Sequence, residues 1–190
     1  VNRIEQLIEA CLNNDRKAQF ALYDLFFQPL MRIAGRYKNN QEDAAALVNE
    51  TFFKAFTQIQ TYKRDVPFEY WIKRIALNTV IDDFRKYKKI KELQTTVDFA
   101  EFGKEGMIPE KVFNLAEKQL FEKDILQLID RLDESEKVVF NLFELDGVPH
   151  KEIAELLGVS ERSTKRYLSD ARLKLRDMVT RMLEAEKIVS

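Results

Sequence analysis

Apolar residues in this chain return every three or four positions through most of its length, and little interrupts them. That spacing belongs to one face of an α-helix, not to a strand. Five glycines and four prolines in 190 residues leave few sites for hairpin turns and none for a Gly-rich phosphate loop. The expected class is all-α. With 45% apolar and 33% charged residues, the chain suits short amphipathic helices in two small domains of roughly 70–90 residues, each able to fold without a metal or a disulfide. The single cysteine, Cys11, excludes an intramolecular disulfide and is expected as half-buried packing. The single histidine, His150, leaves no Cys/His cluster for zinc. No cofactor and no catalytic residue is expected. No run approaches the roughly 20 apolar residues that cross a membrane, and residues 1–14 lack a signal-peptide layout. A cytoplasmic protein is therefore expected, without membrane insertion.

The period divides the chain into segments. Ile4, Leu7, Ile8, Cys11 and Leu12 predict a first helix. Asp15 is a good N-cap for a second, running to Ile33 with Pro29 as a possible kink. A third starts near Asn40 and carries Ala44, Leu47, Val48, Thr51, Phe52, Ala55 and Phe56. After a loop, Thr61–Pro67, one long helix is predicted over Phe68–Lys89. Residues 94–109 lose the period and read as a linker. It returns from Val112 to Leu132, and Asp133 with Glu136 forms a capping box for a helix that Gly147 ends. The domains expected are 1–91 and 111–190, joined by a linker over 92–110.

The formal net charge of −1 conceals two basic stretches. Residues 63–91 hold nine basic side chains against four acidic ones, and residues 148–176 hold seven against four, with an acidic stretch between. Two separated basic patches suit a two-point contact with a polyanion.

Lys151-Glu152-Ile153-Ala154-Glu155-Leu156-Leu157-Gly158-Val159-Ser160, followed by Glu161 to Leu175, has the pattern of a helix-turn-helix. Ala154 is small where two helices must cross. Gly158 allows a left-handed turn, Val159 fills the corner, and Ser160 caps the second helix. Thr164, Leu168, Ala171 and Leu175 share the core spacing. Ser160, Arg162, Ser163, Lys165, Arg166 and Tyr167 are left facing outward at the end of a recognition helix that enters a major groove, with Arg172 and Lys174 suited to phosphates.

The stretch from Leu132 through Arg176 resembles region four of the extracytoplasmic-function (ECF) sigma factors, the small group within the sigma-70 family. Asp43 to Phe56 resembles the family's clamp-binding helix, and Phe68 to Lys86 resembles the helix that opens and reads the minus-ten element. The resemblance implies a factor that binds core RNA polymerase and directs it to promoters. Its N-terminal domain would dock on the beta-prime clamp helices through Leu47, Asn49, Glu50, Phe53 and Phe56. Its C-terminal domain would bind the minus-thirty-five element and hold the beta flap. It also implies an anti-sigma partner. The sequence departs from the pattern at Ala46 and Asn49 on the clamp-binding helix, at Pro149 in place of a capping serine, and at Tyr167 in place of an arginine.

Catching an unpaired base takes a basic groove and aromatic faces. Lys63, Arg64, Lys73, Arg74, Arg85 and Lys86 supply the charge, and Phe68, Tyr70 and Trp71 the rings, although Trp71 equally suits a core position. Asn78 can read a base edge with its amide. Asp82 is expected to orient Arg74 or Arg85, and His150 to be an exposed residue at a helix start. The rival reading is a helix-turn-helix regulator that binds duplex DNA without being a polymerase subunit.

Overall fold

The structure, a computed structural model, describes residues 3–94 and 122–189, with side chains described over 3–87 and 124–184. The described residues are all-α, and the chain divides into two compact units, 1–95 and 96–190. The division falls inside the stretch expected as a linker; residues 95–121, including the period from Val112 to Leu120, lie outside the described residues.

The first unit holds α1 (Arg3–Leu12), α2 (Arg16–Ala34), α3 (Gln41–Thr57), a 3-10 turn at Ile59–Thr61 and α4 (Phe68–Gln94). Helix starts follow the local chemistry. Asp15 accepts from the Lys17 and Ala18 N–H groups at 2.8 and 3.2 Å, and Asn40 accepts from Asp43 N–H at 2.8 Å, so each cap satisfies donors that the first turn orphans. The core gathers one face from every helix: Ile8 and Cys11, then Leu22, Phe26 and Leu30, then Val48, Phe52 and Ala55, then Ile72, Ala76, Val80 and Ile81. Each large member stabilises the unit by roughly 1.5–3 kcal/mol through burial. Burial, aided by the negative charge of Asp15, pushes the Cys11 thiol up to about 11, so it stays protonated and inert. α4 runs to Gln94, past the expected end at Lys89 and into the expected linker, because Ile90 to Gln94 contains neither glycine nor proline to stop it.

The second unit holds α5 (Glu122–Ile129), α6 (Glu134–Phe140), a π-helical turn at Asn141–Leu145, α7 (His150–Leu157) and α8 (Glu161–Val189). The capping box of Asp133 and Glu136 starts α6. Where one regular helix was expected to Leu145, the Asp146 N–H reaches the Asn141 carbonyl five residues back, at 3.0 Å. Gly147, at φ +70, then turns the chain away. Leu142, Ile153, Leu157, Leu168, Ala171 and Leu175 close the core. No described helix is long and apolar enough to cross a membrane.

Candidate nucleic-acid interface

α7 and α8 form the expected helix-turn-helix. Gly158 has φ +66, and its N–H donates to the Ala154 carbonyl. An added Cβ there would meet nothing within 4 Å, so the left-handed backbone, not space, calls for glycine. Ser160 Oγ accepts from Ser163 N–H at 3.0 Å and lies 2.8 Å from Ser163 Oγ, capping α8. Thr164, Leu168, Ala171 and Leu175 are buried as their spacing required. Arg162, Lys165 and Arg166 are exposed at the N-terminal end of α8, with Ser163 and Tyr167 half-buried. Lys165 Nζ pairs with Glu161 at 2.7 Å, and the Arg166 guanidinium lies 5.3 Å from the Tyr167 ring centre. Pro149 precedes α7 at φ −71 and ψ 150, giving the chain an extended entry but no side-chain cap.

Three expectations in this unit need correction. Arg172 does not stand ready for phosphate: its Nε donates to Glu144 Oε1 at 2.8 Å and its side chain is 19% exposed. The cause is the π-helical turn, which carries Glu144 beside α8. Lys174 is likewise engaged, 2.8 Å from Glu136 and also paired with Asp133. Burial works against its charge, but hydrogen bonds to the two carboxylates raise its pKa. His150 is half-buried, not exposed. Its ring stacks on Phe143 at 4.3 Å, and Nδ1 lies 3.1 Å from Thr164 Oγ1. Thr164 donates its one hydroxyl proton to the Glu161 carbonyl at 2.8 Å, so His150 Nδ1–H is the donor between them. Burial, and then the charges of Lys165 and Arg172, hold the imidazole pKa below its usual value.

In the first unit, Trp71, Arg74, Asn78 and Arg85 recur at three-, four- and seven-residue intervals and so share one stripe of α4. Arg74, Asn78, Arg85 and, beside them, Lys86 are exposed. Lys73 falls on another side of the helix and is half-buried. Lys88, Lys89 and Lys91 lie beyond the described side chains. Trp71 is half-buried against Tyr62 and Phe68, both at 5.3 Å between ring centres. Phe68 belongs to the core, whereas Tyr70 is 64% exposed. Lys63 and Arg64 stand exposed in the loop before α4. Two acids of α4 are taken up elsewhere: Asp82 accepts from Lys54 of α3 at 3.0 Å, and Asp83 from Lys38. Asp82 thus ties α4 to α3, a role unlike the arginine-orienting one expected. Tyr62 and Lys38 gave no signal in the sequence, because contacts at separations of 9 and 45 residues have no period.

On α3, Ala46, Asn49 and Phe53 form an exposed stripe, with Glu50 and Phe56 half-buried beside it. Phe53 is 72% exposed, a large apolar surface left in water. Tyr23 Oη donates to Asn49 Oδ1 at 3.0 Å. Leu47, expected among the docking residues, is instead 5% exposed: it sits on the same inward face as Ala44, Val48 and Thr51, and packing against α2 and α4 withdraws it from the surface.

Residues 22–90 match the family model of Sigma-70 region 2, and residues 122–175 that of Sigma-70, region 4. The chain is 28% identical over 155 residues to RNA polymerase sigma factor SigV of Bacillus subtilis, spanning 81% of this chain and 86% of that one. It is 25% identical over 181 residues to ECF RNA polymerase sigma factor SigW of the same species, spanning 91% and 95%. Against ECF RNA polymerase sigma factor SigE of Mycolicibacterium smegmatis it is 27% identical over 150 residues, 79% of this chain but 57% of the longer relative. Among solved structures, the sigma factor RpoE of Bartonella quintana, crystallised with the anti-sigma factor NepR, matches with a TM-score of 0.52 at 19% identity, covering 84% of this chain and 95% of that one. Two family regions in their characteristic order, on an all-α chain with a helix-turn-helix at its C-terminal side, establish that this protein belongs to the sigma-70 family, in its extracytoplasmic-function group.

Proposed function

We propose that this chain is a sigma subunit that binds core RNA polymerase, directs it to promoters and initiates transcription there. It is a regulatory subunit and performs no covalent chemistry itself. The observation that carries the reading is that one chain joins a region 2 unit and a region 4 unit, each presenting an exposed basic helix face. Arg162, Lys165 and Arg166, with Ser160, Ser163 and Tyr167, would read the minus-thirty-five duplex. Lys63, Arg64, Arg74, Asn78, Arg85 and Lys86, with Trp71 and Lys73 at the margin, would open and hold the minus-ten element. The α3 stripe of Asn49, Glu50, Phe53 and Phe56 would dock on the beta-prime clamp helices, and the C-terminal unit would hold the beta flap. These contacts belong in the cytoplasm, where polymerase and DNA are.

Transcription in vitro with purified core polymerase on genomic fragments tests the proposal. Specific transcripts that appear only when the chain is added support it. Tight binding of the chain alone to duplex DNA, with no association with core enzyme, would favour the helix-turn-helix regulator instead. The partner of the Bartonella relative suggests the same class of inhibitor here: an anti-sigma protein that covers the polymerase-binding face. Loss of core binding when such a protein is added, with Phe53→Ala weakening the chain's binding both to that protein and to core, would place both partners on that face.

A further inference from the structure

The loop from Tyr62 to Pro67 is tied at three points, and one tie comes from outside the residues that match region 2. Tyr62 Oη donates to the Val66 carbonyl at 2.7 Å, and its ring packs on Phe68 and Trp71. The Pro67 carbonyl accepts from Tyr70 N–H at 3.0 Å, which fixes the start of α4. Between these, Arg64 has φ +61, a left-handed conformation that few non-glycine residues adopt. Its guanidinium Nη2 donates to Glu9 Oε1 on α1. The helix that supplies this carboxylate is itself fixed, since Ile8 and Cys11, both 2% exposed, seat it in the core. α1 also packs on the turn at Ile59–Thr61 that leads into the loop. It ends at Leu12, before the first residue of the region 2 match, residue 22.

Two opposite consequences are open to such a pair. A carboxylate beside a DNA-binding loop repels phosphate, so Glu9 would weaken DNA binding by its charge. A carboxylate that restrains an arginine in an uncommon backbone conformation instead pre-forms the loop and strengthens capture of a base. The observations favour the second: the strained residue is the one held, and the holder is a rigid helix 55 positions away in sequence. We infer that Glu9 is a positioning residue for promoter opening, fixing through Arg64 the loop that receives an unpaired minus-ten base. This rests on the sigma reading of the loop and adds α1 to the parts that serve it.

The test uses full-length chain in holoenzyme with core polymerase and two DNA probes. One is a fork junction, single-stranded across the non-template minus-ten element, its sequence selected with the wild-type holoenzyme. The other is the fully duplex minus-thirty-five region. Glu9→Gln is isosteric and sits at a side chain 56% exposed, so folding should survive. It is expected to weaken fork binding by up to about five-fold, the range of an exposed ion pair, although it removes a negative charge. Duplex binding should not change. Glu9→Asp should recover part of the loss, and Glu9→Gln should add nothing in an Arg64→Gln background. Tighter or unchanged fork binding by Glu9→Gln, or additive losses in the double variant, overturns the inference while leaving the sigma reading intact. Failure of the wild-type chain to bind core enzyme overturns both.

Discussion

The two units hold α4 and α8, the helices proposed to face DNA, with opposite arrangements of charge. In the first, the acids lie on the helix and the lysines come from the scaffold: Asp82 and Asp83 of α4 pair with Lys54 and Lys38. In the second, the bases lie on the helix and the acids come from the scaffold: Arg172 and Lys174 of α8 pair with Glu144, Asp133 and Glu136. The consequence for a polyanion is asymmetric. Pairing in the first unit masks carboxylates that would repel phosphate and so raises the effective positive charge of α4. Pairing in the second engages two bases in the middle of α8 with the scaffold and leaves its exposed positive charge concentrated near Arg162, Lys165 and Arg166. Counting charges along the sequence, nine against four and seven against four, therefore understates the difference between the two faces.

The largest effect should come from breaking the second arrangement. Lys174→Ala leaves Glu136, 8% exposed at its side chain, without its lysine, and a stranded buried carboxylate should cost about 2 kcal/mol. Hydrogen exchange of the α6 and α8 amides would register it, with the first unit unaffected. Arg172→Ala should follow at about 1–2 kcal/mol, since it removes charge-assisted bonds to Glu144, and it should leave the salt dependence of minus-thirty-five binding unchanged. Arg162→Ala should do the reverse: stability within about 0.5 kcal/mol, and a salt slope flatter by about one unit. A flatter slope for Arg172→Ala would return that residue to the DNA-binding set and undo half of the comparison.

In the first unit the same logic predicts a difference of sign. Lys54→Ala and Asp82→Asn each break a partly exposed pair and should each cost within about 1 kcal/mol of stability. On DNA they should part. Lys54→Ala leaves an unpaired carboxylate on α4 and weakens minus-ten binding, whereas Asp82→Asn removes that carboxylate and does not. Burial opposes the lysine charge, yet the bonds to Asp82 and Glu50 raise its pKa, so Lys54 remains charged at neutral pH and its loss is felt there. Equal weakening by both variants, in fork-DNA binding at matched salt, would show that the pair acts by bracing α4 and not by masking charge.

The helices were legible because each needs only information within a turn or two. Asp15, Asn40 and Ser160 cap the helices that follow them, and Gly158 makes the turn its position required. The outward set at the start of α8 followed from subtracting the core positions from the period, and Arg162, Lys165 and Arg166 do stand exposed. What escaped depends on contacts distant in sequence or on a change of pitch. A π-helical turn at Asn141–Leu145 has nearly the same apolar pattern as an α-helical one, but it moves Glu144 to where it meets Arg172. Leu47 is one position from an exposed stripe, and at 100° per residue one position is enough to turn a surface contact into a core one. His150 was read as exposed because an aromatic neighbour seven residues earlier, Phe143, cannot be inferred across a glycine turn.

His150 supplies the smallest effect and a separate way to distinguish the units, because it is the only histidine in the chain. Burial, followed by Lys165 and Arg172, lowers its pKa, while Glu161 and Glu144 act in the other direction. The folded state thus resists a proton that the unfolded chain accepts near pH 6.5. As pH falls through that region the unfolded state binds more protons, and stability falls with it. The loss belongs to the second unit, where the imidazole lies between Phe143 and Thr164; no histidine in the first responds. Hydrogen exchange followed from neutral to mildly acid pH should show α8 opening more readily while α2 does not, and His150→Gln should flatten the trend. Arg172→Ala should shrink it as well, since one of the two cations that depress the pKa is gone and Glu144 is left with its charge unopposed. If the pH trend persists unchanged in both variants, the imidazole is not its source, and the α8 end of the helix-turn-helix is held by its salt bridges alone.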